Sequence, residues 1–183
     1  QHLGANDDPV LLVAGASQGA RAINRALFRA LPEMTTRAIV VHITGVADHE
    51  EAQERAAALP EDRRAAYVHG AFRHDLPDLM VASDLAVMRA GASVLGELPA
   101  ARLPALLVPG RFAGGHQRAN ARWLVDGGCA EMLEESRIGE LLPRVFSLLD
   151  NAERRAEMRD AARRMDRPDA ALDIARIVAE VAR

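Results

Sequence analysis

An α/β fold, with a parallel sheet covered by helices on both faces, is what the sequence predicts, on three observations. Short apolar runs alternate with helical patterns along most of the chain, which is the order of β-α-β units. The first run, Leu-Leu-Val at 11–13, is continuously apolar, as in a strand buried on both faces. At 183 residues the chain is long enough for one domain with a sizeable core, and no repeat, low-complexity linker or internal boundary divides it.

The strands follow in order from these runs. VLLVA at 10–14, AIVVHI at 38–43, AYVH at 66–69, LAVM at 85–88 and ALLV at 105–108 each predict one, and AEML at 130–133 a weaker one. Between them, helical patterns fall at about 18–30, 49–58, 75–82, 92–101 and 117–126, and a helix-rich tail closes the chain. Within that tail, residues 151–165 carry many charges, as expected of a solvated helix face. Sheets of this kind hold ligands at the carboxyl ends of their strands.

Composition excludes several classes of function. The net charge of −3 is too small and too balanced for a general nucleic-acid-binding surface, so no nucleic-acid partner is expected. All 23 basic residues are Arg. Cys129 stands alone, which excludes an intrachain disulfide framework and a Cys-based zinc cluster and makes a reducing compartment the default. No stretch is long and apolar enough to cross a bilayer, and no signal-peptide pattern opens the chain. The first residue is Gln1, as expected of a fragment or processed product.

The first strand breaks into Gly15-Ala16-Ser17-Gln18-Gly19 before a helical pattern begins. Gly15 and Gly19 let backbone approach a ligand, and a helix starting near Gln18 aims its free N–H groups at an anion. A plain strand-to-helix turn is the alternative. A short-chain dehydrogenase would need a Tyr and a Lys one helical turn apart, but the chain has one Tyr, Tyr67, and no Lys. A dinucleotide site also favours a carboxylate about 20 residues past the turn, where AIVVHITG offers none. A Walker-type phosphate loop requires Gly-Lys-Ser/Thr and is excluded for the same lack of Lys.

Four motifs in order point elsewhere: Gly-Ala-Ser-Gln-Gly-Ala at 15–20, His42-Ile43-Thr44-Gly45, Arg89 with Gly91, Ala92 and Glu97, and His116-Gln117 with Asn120 and Ala121. Together they resemble the carboxyl-terminal, donor-binding half of the MurG family of glycosyltransferases, from about Val10 to the end of the chain. The resemblance implies a GT-B architecture of two Rossmann-like domains, of which residues 1–183 are the nucleotide-sugar-binding one and the amino-terminal acceptor domain is absent. It implies a hexosyltransferase that moves N-acetylglucosamine from UDP-N-acetylglucosamine to lipid I, forming lipid II for peptidoglycan. No metal or other cofactor is expected beyond the UDP-sugar donor. The implied location is the cytoplasmic face of the membrane, as a peripheral protein, with the lipid-linked acceptor reached through the missing domain.

The same resemblance assigns residues. Gly15, Ser17, Gln18, Gly19, Ala92 and Ser93 would meet the diphosphate, Phe72 and Arg73 the uracil, Glu97 the ribose, and His116, Gln117 and Asn120 the sugar. The chemistry fits: a carboxylate presents two acceptors to a cis-diol, and an amide offers donor and acceptor to hydroxyls. Ser17 could instead cap a helix, Glu97 be a solvated helix carboxylate, Phe72 a core residue and His116 a surface residue or cap. His42 is expected to be structural, near its strand end.

Four departures stand out. Val94 replaces the family's usual Thr or Ser three residues before the Glu, with Ser93 beside it as a substitute. Pro99 should kink its helix or end it early. Arg102 takes the place of a Gly where a helix C-cap often needs positive φ. The acidic residue common before His116 is missing from Ala113-Gly114-Gly115. No catalytic base can be named in this chain, and the isolated domain is expected to be inactive. The alternatives are a donor subunit of a split UDP-sugar transferase and a non-catalytic nucleotide-sugar-binding module. The closing LDIARIVAEVAR has apolar residues at helical spacing. In the resembling fold that helix packs on the missing half, so some of its apolar face is expected to be exposed, or covered by a neighbouring molecule, in the isolated domain.

Overall fold

The computed structural model describes residues 8–15, 20–110 and 115–182. Six strands, β1 (Val10–Ala14), β2 (Ile39–Ile43), β3 (Tyr67–Gly70), β4 (Leu85–Met88), β5 (Ala105–Leu107) and β6 (Ala130–Met132), form one sheet in the order β3-β2-β1-β4-β5-β6. Every pairing is parallel. Among the described residues eight α-helices accompany them: α1 (Arg21–Met34), α2 (His49–Ala58), α3 (Leu76–Val81), α4 (Val94–Ala101), α5 (His116–Asp126), α6 (Leu141–Leu149), α7 (Ala152–Met165) and α8 (Ala170–Val181).

Side chains of a strand alternate between faces, so one strand feeds two cores. Leu11 and Val13 of β1 join Leu27 and Leu31 of α1 and Val145 of α6 on one face. Leu12 and Ala14 join Leu79 of α3, Leu98 of α4 and Leu124 of α5 on the other. Helix α7 closes one side, giving Met158 to the first core and Ala161 and Ala162 to the second. Its start is capped by Asn151, whose side chain accepts from the Arg154 N–H at 2.9 Å.

The elements fall within one residue of expectation for the strands, and the charged tail is helical as read. Two helices outrun their prolines. Helix α1 continues past Pro32 to Met34, because Leu31 and Met34 are buried and hold the last turn against the sheet. Helix α4 continues two residues past Pro99, to Ala101, so this proline does not end it early; the ring is buried with Leu98. Helix α8 buries none of its residues among those described. Its Leu172, Ile174, Ile177, Val178 and Val181 are 59–82% exposed, as the resemblance implied for the closing helix.

His42 is structural. It is fully buried on β2, with Nδ1 2.9 Å from the Tyr67 hydroxyl and Nε2 3.0 Å from Asn24 Oδ1. Asn24 Nδ2 donates to the Thr44 carbonyl at 2.8 Å and to Asp48 Oδ2 at 2.7 Å, which fixes the amide orientation. Asn24 therefore turns its oxygen to His42, so Nε2 carries the imidazole proton and Nδ1 accepts from Tyr67. Burial, aided by nearby His69, pushes the His42 pKa down to about 3.

Because the folded value lies below the unfolded one of about 6.5, His42 binds a proton more readily in the unfolded chain. Its contribution to stability is therefore complete above pH 6.5 and is lost as pH falls toward 3, on the order of 4 kcal/mol. Urea titrations from pH 7 to pH 4 should show the stability gap between the native protein and His42→Gln narrowing as pH falls. A gap independent of pH would contradict the assignment.

At the end of α4, Arg102 adopts φ 51° and ψ 39°, the left-handed conformation expected of the cap. It is the one non-glycine with positive φ among the described residues. That conformation strains an L-residue by about 1–2 kcal/mol, against which glycine's greater freedom when unfolded counts about 0.5–1. Arg102→Gly should therefore raise stability by about 0.5–1 kcal/mol and the thermal midpoint by about 1–4 °C, as differential scanning calorimetry would register.

Candidate functional site

In a fully parallel sheet every strand-to-helix connection lies at one edge. Between β1 and β4 the strand order changes direction, and the two connections there part to leave a crevice. A pocket of about 240 Å³ lies at this point. Its floor is Ala14, Ile43 and Met88 at three strand ends, and its walls are Gly15, Gly45, Val46, Ala71, Phe72, Arg73, Leu76, Arg89, Gly91, Ser93, Val94 and Glu97.

Of the residues expected to bind a ligand, the pocket brings together Gly15, Phe72, Arg73, Ser93 and Glu97. Ala92 is exposed beside them at the start of α4. Ser17, Gln18 and Gly19 lie outside the described residues. Phe72 is 65% exposed at the rim and so is no core residue; it packs edge-on against His74, with ring centroids 4.9 Å apart.

The start of α4 borders the pocket through Gly91, Ser93 and Val94. Among the described residues, the N–H groups of Ala92, Ser93 and Val94 find no backbone acceptor, the first turn closing instead through Leu95, Gly96 and Glu97. Val94 is buried in the core below and can offer only its N–H. Ser93 is exposed, and its hydroxyl makes no hydrogen bond among the described residues.

The charges at the site are unevenly compensated. Arg73 lies in a two-pronged pair with Asp75, at 2.8 and 2.6 Å. Hydrogen bonding within this pair holds the Asp75 carboxyl below its usual range and raises Arg73. Arg89 pairs with Glu135 at 2.5 Å, the two side chains only 12% and 16% exposed, and donates to the Val108 carbonyl at 3.1 Å. Glu97, in contrast, makes no ion pair or side-chain hydrogen bond among the described residues. The pocket therefore offers one uncommitted carboxylate and a set of unpaired N–H groups, a combination suited to a ligand with both hydroxyls and an anion.

His116, Gln117 and Asn120 stand on α5, beyond the pocket lining. Gln117 Oε1 accepts from the Gly110 N–H at 2.7 Å, and Asn120 Nδ2 donates to the Ala90 carbonyl at 3.0 Å. These bonds tie the start of α5 to the connections after β5 and β4. His116 is exposed at the first position of α5, while the cap position belongs to Gly115.

Arg89 and Val46 also line the pocket, beyond the residues the motifs assign to a ligand. Arg89 was legible as a basic residue at a strand's carboxyl end. Its partner Glu135, far along the chain, carried no local signal.

The model of the glycosyltransferase family 28 C-terminal domain matches residues 10–174. Two curated relatives bear the name UDP-N-acetylglucosamine–N-acetylmuramyl-(pentapeptide) pyrophosphoryl-undecaprenol N-acetylglucosamine transferase. That of Roseiflexus sp. (strain RS-1) is 38% identical over 94% of this chain and 44% of its own length. That of Anaeromyxobacter sp. (strain Fw109-5) is 40% identical over 96% and 46%. The crystal structure of Acinetobacter baumannii MurG superposes with a TM-score of 0.82 at 29% identity, covering 97% of this chain and 51% of that one. Spinosyn forosaminyltransferase SpnP superposes with a TM-score of 0.71 at 13% identity, over 97% and 44%, a likeness of fold alone. The chain spans about half the length of the relatives it matches. Its Rossmann-like sheet is that of one half of a GT-B glycosyltransferase, and the chain belongs to glycosyltransferase family 28, as the C-terminal domain of that family.

Proposed function

We propose that this chain is the donor-binding domain of a MurG-like inverting glycosyltransferase, which moves N-acetylglucosamine from UDP-N-acetylglucosamine to lipid I and so forms lipid II for peptidoglycan. The observation that carries the proposal is that Glu97 and the N–H groups at the start of α4, without partners among the described residues, meet at one pocket at the strand-order switch. The names of the relatives, which specify this donor sugar and a pyrophosphoryl-undecaprenol acceptor, support it.

In this reading Glu97 accepts from both ribose hydroxyls, each charge-assisted bond contributing about 1.5–3 kcal/mol. Phe72 covers the uracil, with Arg73 beside it. Ala92, Ser93, Gly15 and the Ser17-Gln18-Gly19 turn meet the diphosphate. Gln117, Asn120 and His116 face the sugar. As the acceptor hydroxyl attacks the anomeric carbon, the bond to the UDP oxygen breaks with inversion, and negative charge grows on the departing diphosphate. Preorganised N–H groups stabilise that charge without a metal. The acceptor site, the general base and the docking surface on the cytoplasmic membrane face belong to the amino-terminal half of such enzymes. No helix among the described residues is long and apolar enough to cross a membrane. A non-catalytic nucleotide-sugar-binding module is the second reading, favoured by Val94, which brings no hydroxyl to the diphosphate.

Calorimetric titration should show weak binding of UDP and UDP-N-acetylglucosamine that EDTA leaves unchanged; a strict metal requirement would count against this site. Glu97→Ala should weaken UDP binding about tenfold or more, a loss of 1.4 kcal/mol, and leave 2′,3′-dideoxy-UDP almost unaffected. Equal losses for both ligands would remove Glu97 from the ribose.

Radiolabelled transfer to lipid I should stay at background with residues 1–183 and appear when an amino-terminal acceptor domain is joined to them. Turnover by the chain alone would overturn the division of labour, and a joined protein that binds UDP-N-acetylglucosamine without transfer would favour the second reading.

A further inference from the structure

His42 and Asn24 are buried polar residues outside the pocket lining, and the bonds from Asn24 end on Thr44 and Asp48, which flank the wall residues Gly45 and Val46. From Tyr67 the chain of bonds passes through His42 to Asn24, in the first turn of α1, and from there to the Thr44 carbonyl and Asp48. Thr44 is itself buried; its N–H donates to the Gly70 carbonyl at 3.0 Å, and its hydroxyl donates to the Gly45 carbonyl at 2.8 Å. The Gly45 N–H donates to Ala71 at 3.1 Å. Gly45, with φ 76° and ψ 162°, turns the backbone in a way that a side chain would resist, and so delivers Val46 to the pocket. One continuous set of bonds thus joins the helix after the glycine-rich turn, the connection after β2 and the connection after β3 that carries Phe72.

We propose that His42 and Asn24 are positioning residues for the nucleotide pocket, holding those three segments in the register that a nucleoside diphosphate requires. The proposal rests on the reading of the pocket as a UDP site. The geometry leaves one arrangement of donors: Nε2–H of His42 is needed for Asn24 Oδ1, and both amide hydrogens of Asn24 are spent on Thr44 and Asp48. With every member satisfied, a buried polar network specifies a unique arrangement, whereas a missing donor leaves a buried acceptor unpaired and lets the segments shift. The pocket walls Gly45, Val46 and Ala71 lie on the receiving end of that chain.

The test compares UDP affinity with stability in four variants of the full chain, by calorimetry and urea titration. His42→Leu removes the donor to Asn24 and should weaken UDP binding at least tenfold. His42→Gln can donate to Asn24 and accept from Tyr67, and should restore affinity to within about threefold of the native chain. Leu148→Ala, in a core residue of α6 outside both the pocket lining and the hydrogen-bonded chain, should lose stability while keeping UDP affinity within twofold. Asn24→Asp keeps the acceptor for His42 but loses both donors, and should weaken UDP binding at least tenfold; it decides the matter if His42→Leu does not fold. Native affinity in the folded His42→Leu or Asn24→Asp protein would overturn the proposal. So would an affinity loss in Leu148→Ala that tracks its stability. Failure of the native chain to bind UDP would instead overturn the reading of the pocket.

Discussion

The parallel direction of all six strands governs what else this domain can be. A parallel pair needs a crossover, and here the crossovers carry helices on both faces, so both faces of β1 and β4 must be apolar. It also sends every strand's carboxyl end, and the start of nearly every helix that follows, to a single edge. Polar backbone groups left over at those helix starts are therefore concentrated where the sheet's order reverses, between β1 and β4. The pocket is a consequence of the topology before any side chain is chosen, and side chains then decide what it accepts.

Charge pairing makes that choice specific. Two arginines line the pocket, and both are held by carboxylates of this same chain, Arg73 by Asp75 and Arg89 by Glu135. The two pairs differ physically. Arg73 and Asp75 are about 40% exposed, so solvent screens their attraction and their main effect is to fix the guanidinium beside Phe72. Arg89 and Glu135 are nearly buried, so removing either would strand the other's charge in a low-dielectric setting. Among the described residues neither arginine stands as a free cation, and Glu97 is the lining carboxylate without a partner.

Much of this was legible along the chain because it depends on local order. Apolar runs set the strands, and Gly15 after β1 and the Arg-x-Gly-Ala start of α4 marked the pocket. Of the two outcomes expected at Pro99, a kink or an early end, the early end does not occur: the helix runs on to Ala101, with Leu98 and the proline ring buried. Local rules read Arg102 correctly as a residue in a glycine's place, since a C-cap conformation is a property of a few neighbouring residues. The Arg89–Glu135 pair and the Asn24–His42–Tyr67 chain join residues distant in sequence, and only the sheet order brings β3, β2 and α1 side by side to make the latter. His42 could be named structural from its place at a strand end, but its partners could not.

Helices α1 and α8 show where pattern reading stops. In α1, Ile23, Leu27 and Leu31 recur at helical spacing, and all are buried against the sheet. In α8, Ile174, Ile177, Val178 and Val181 recur at the same kind of spacing, and all stay exposed. The periodicity is strong in both. A period near 3.6 residues records that one face of a helix is built for burial, because apolar area removed from water contributes about 25 cal/mol per Å² whatever covers it. It carries no information about the covering surface. For α1 the covering strands lie within the domain, and the sequence of the domain names them; for α8 nothing among the described residues does so, and the relatives, about twice as long, are where such a surface has room to exist.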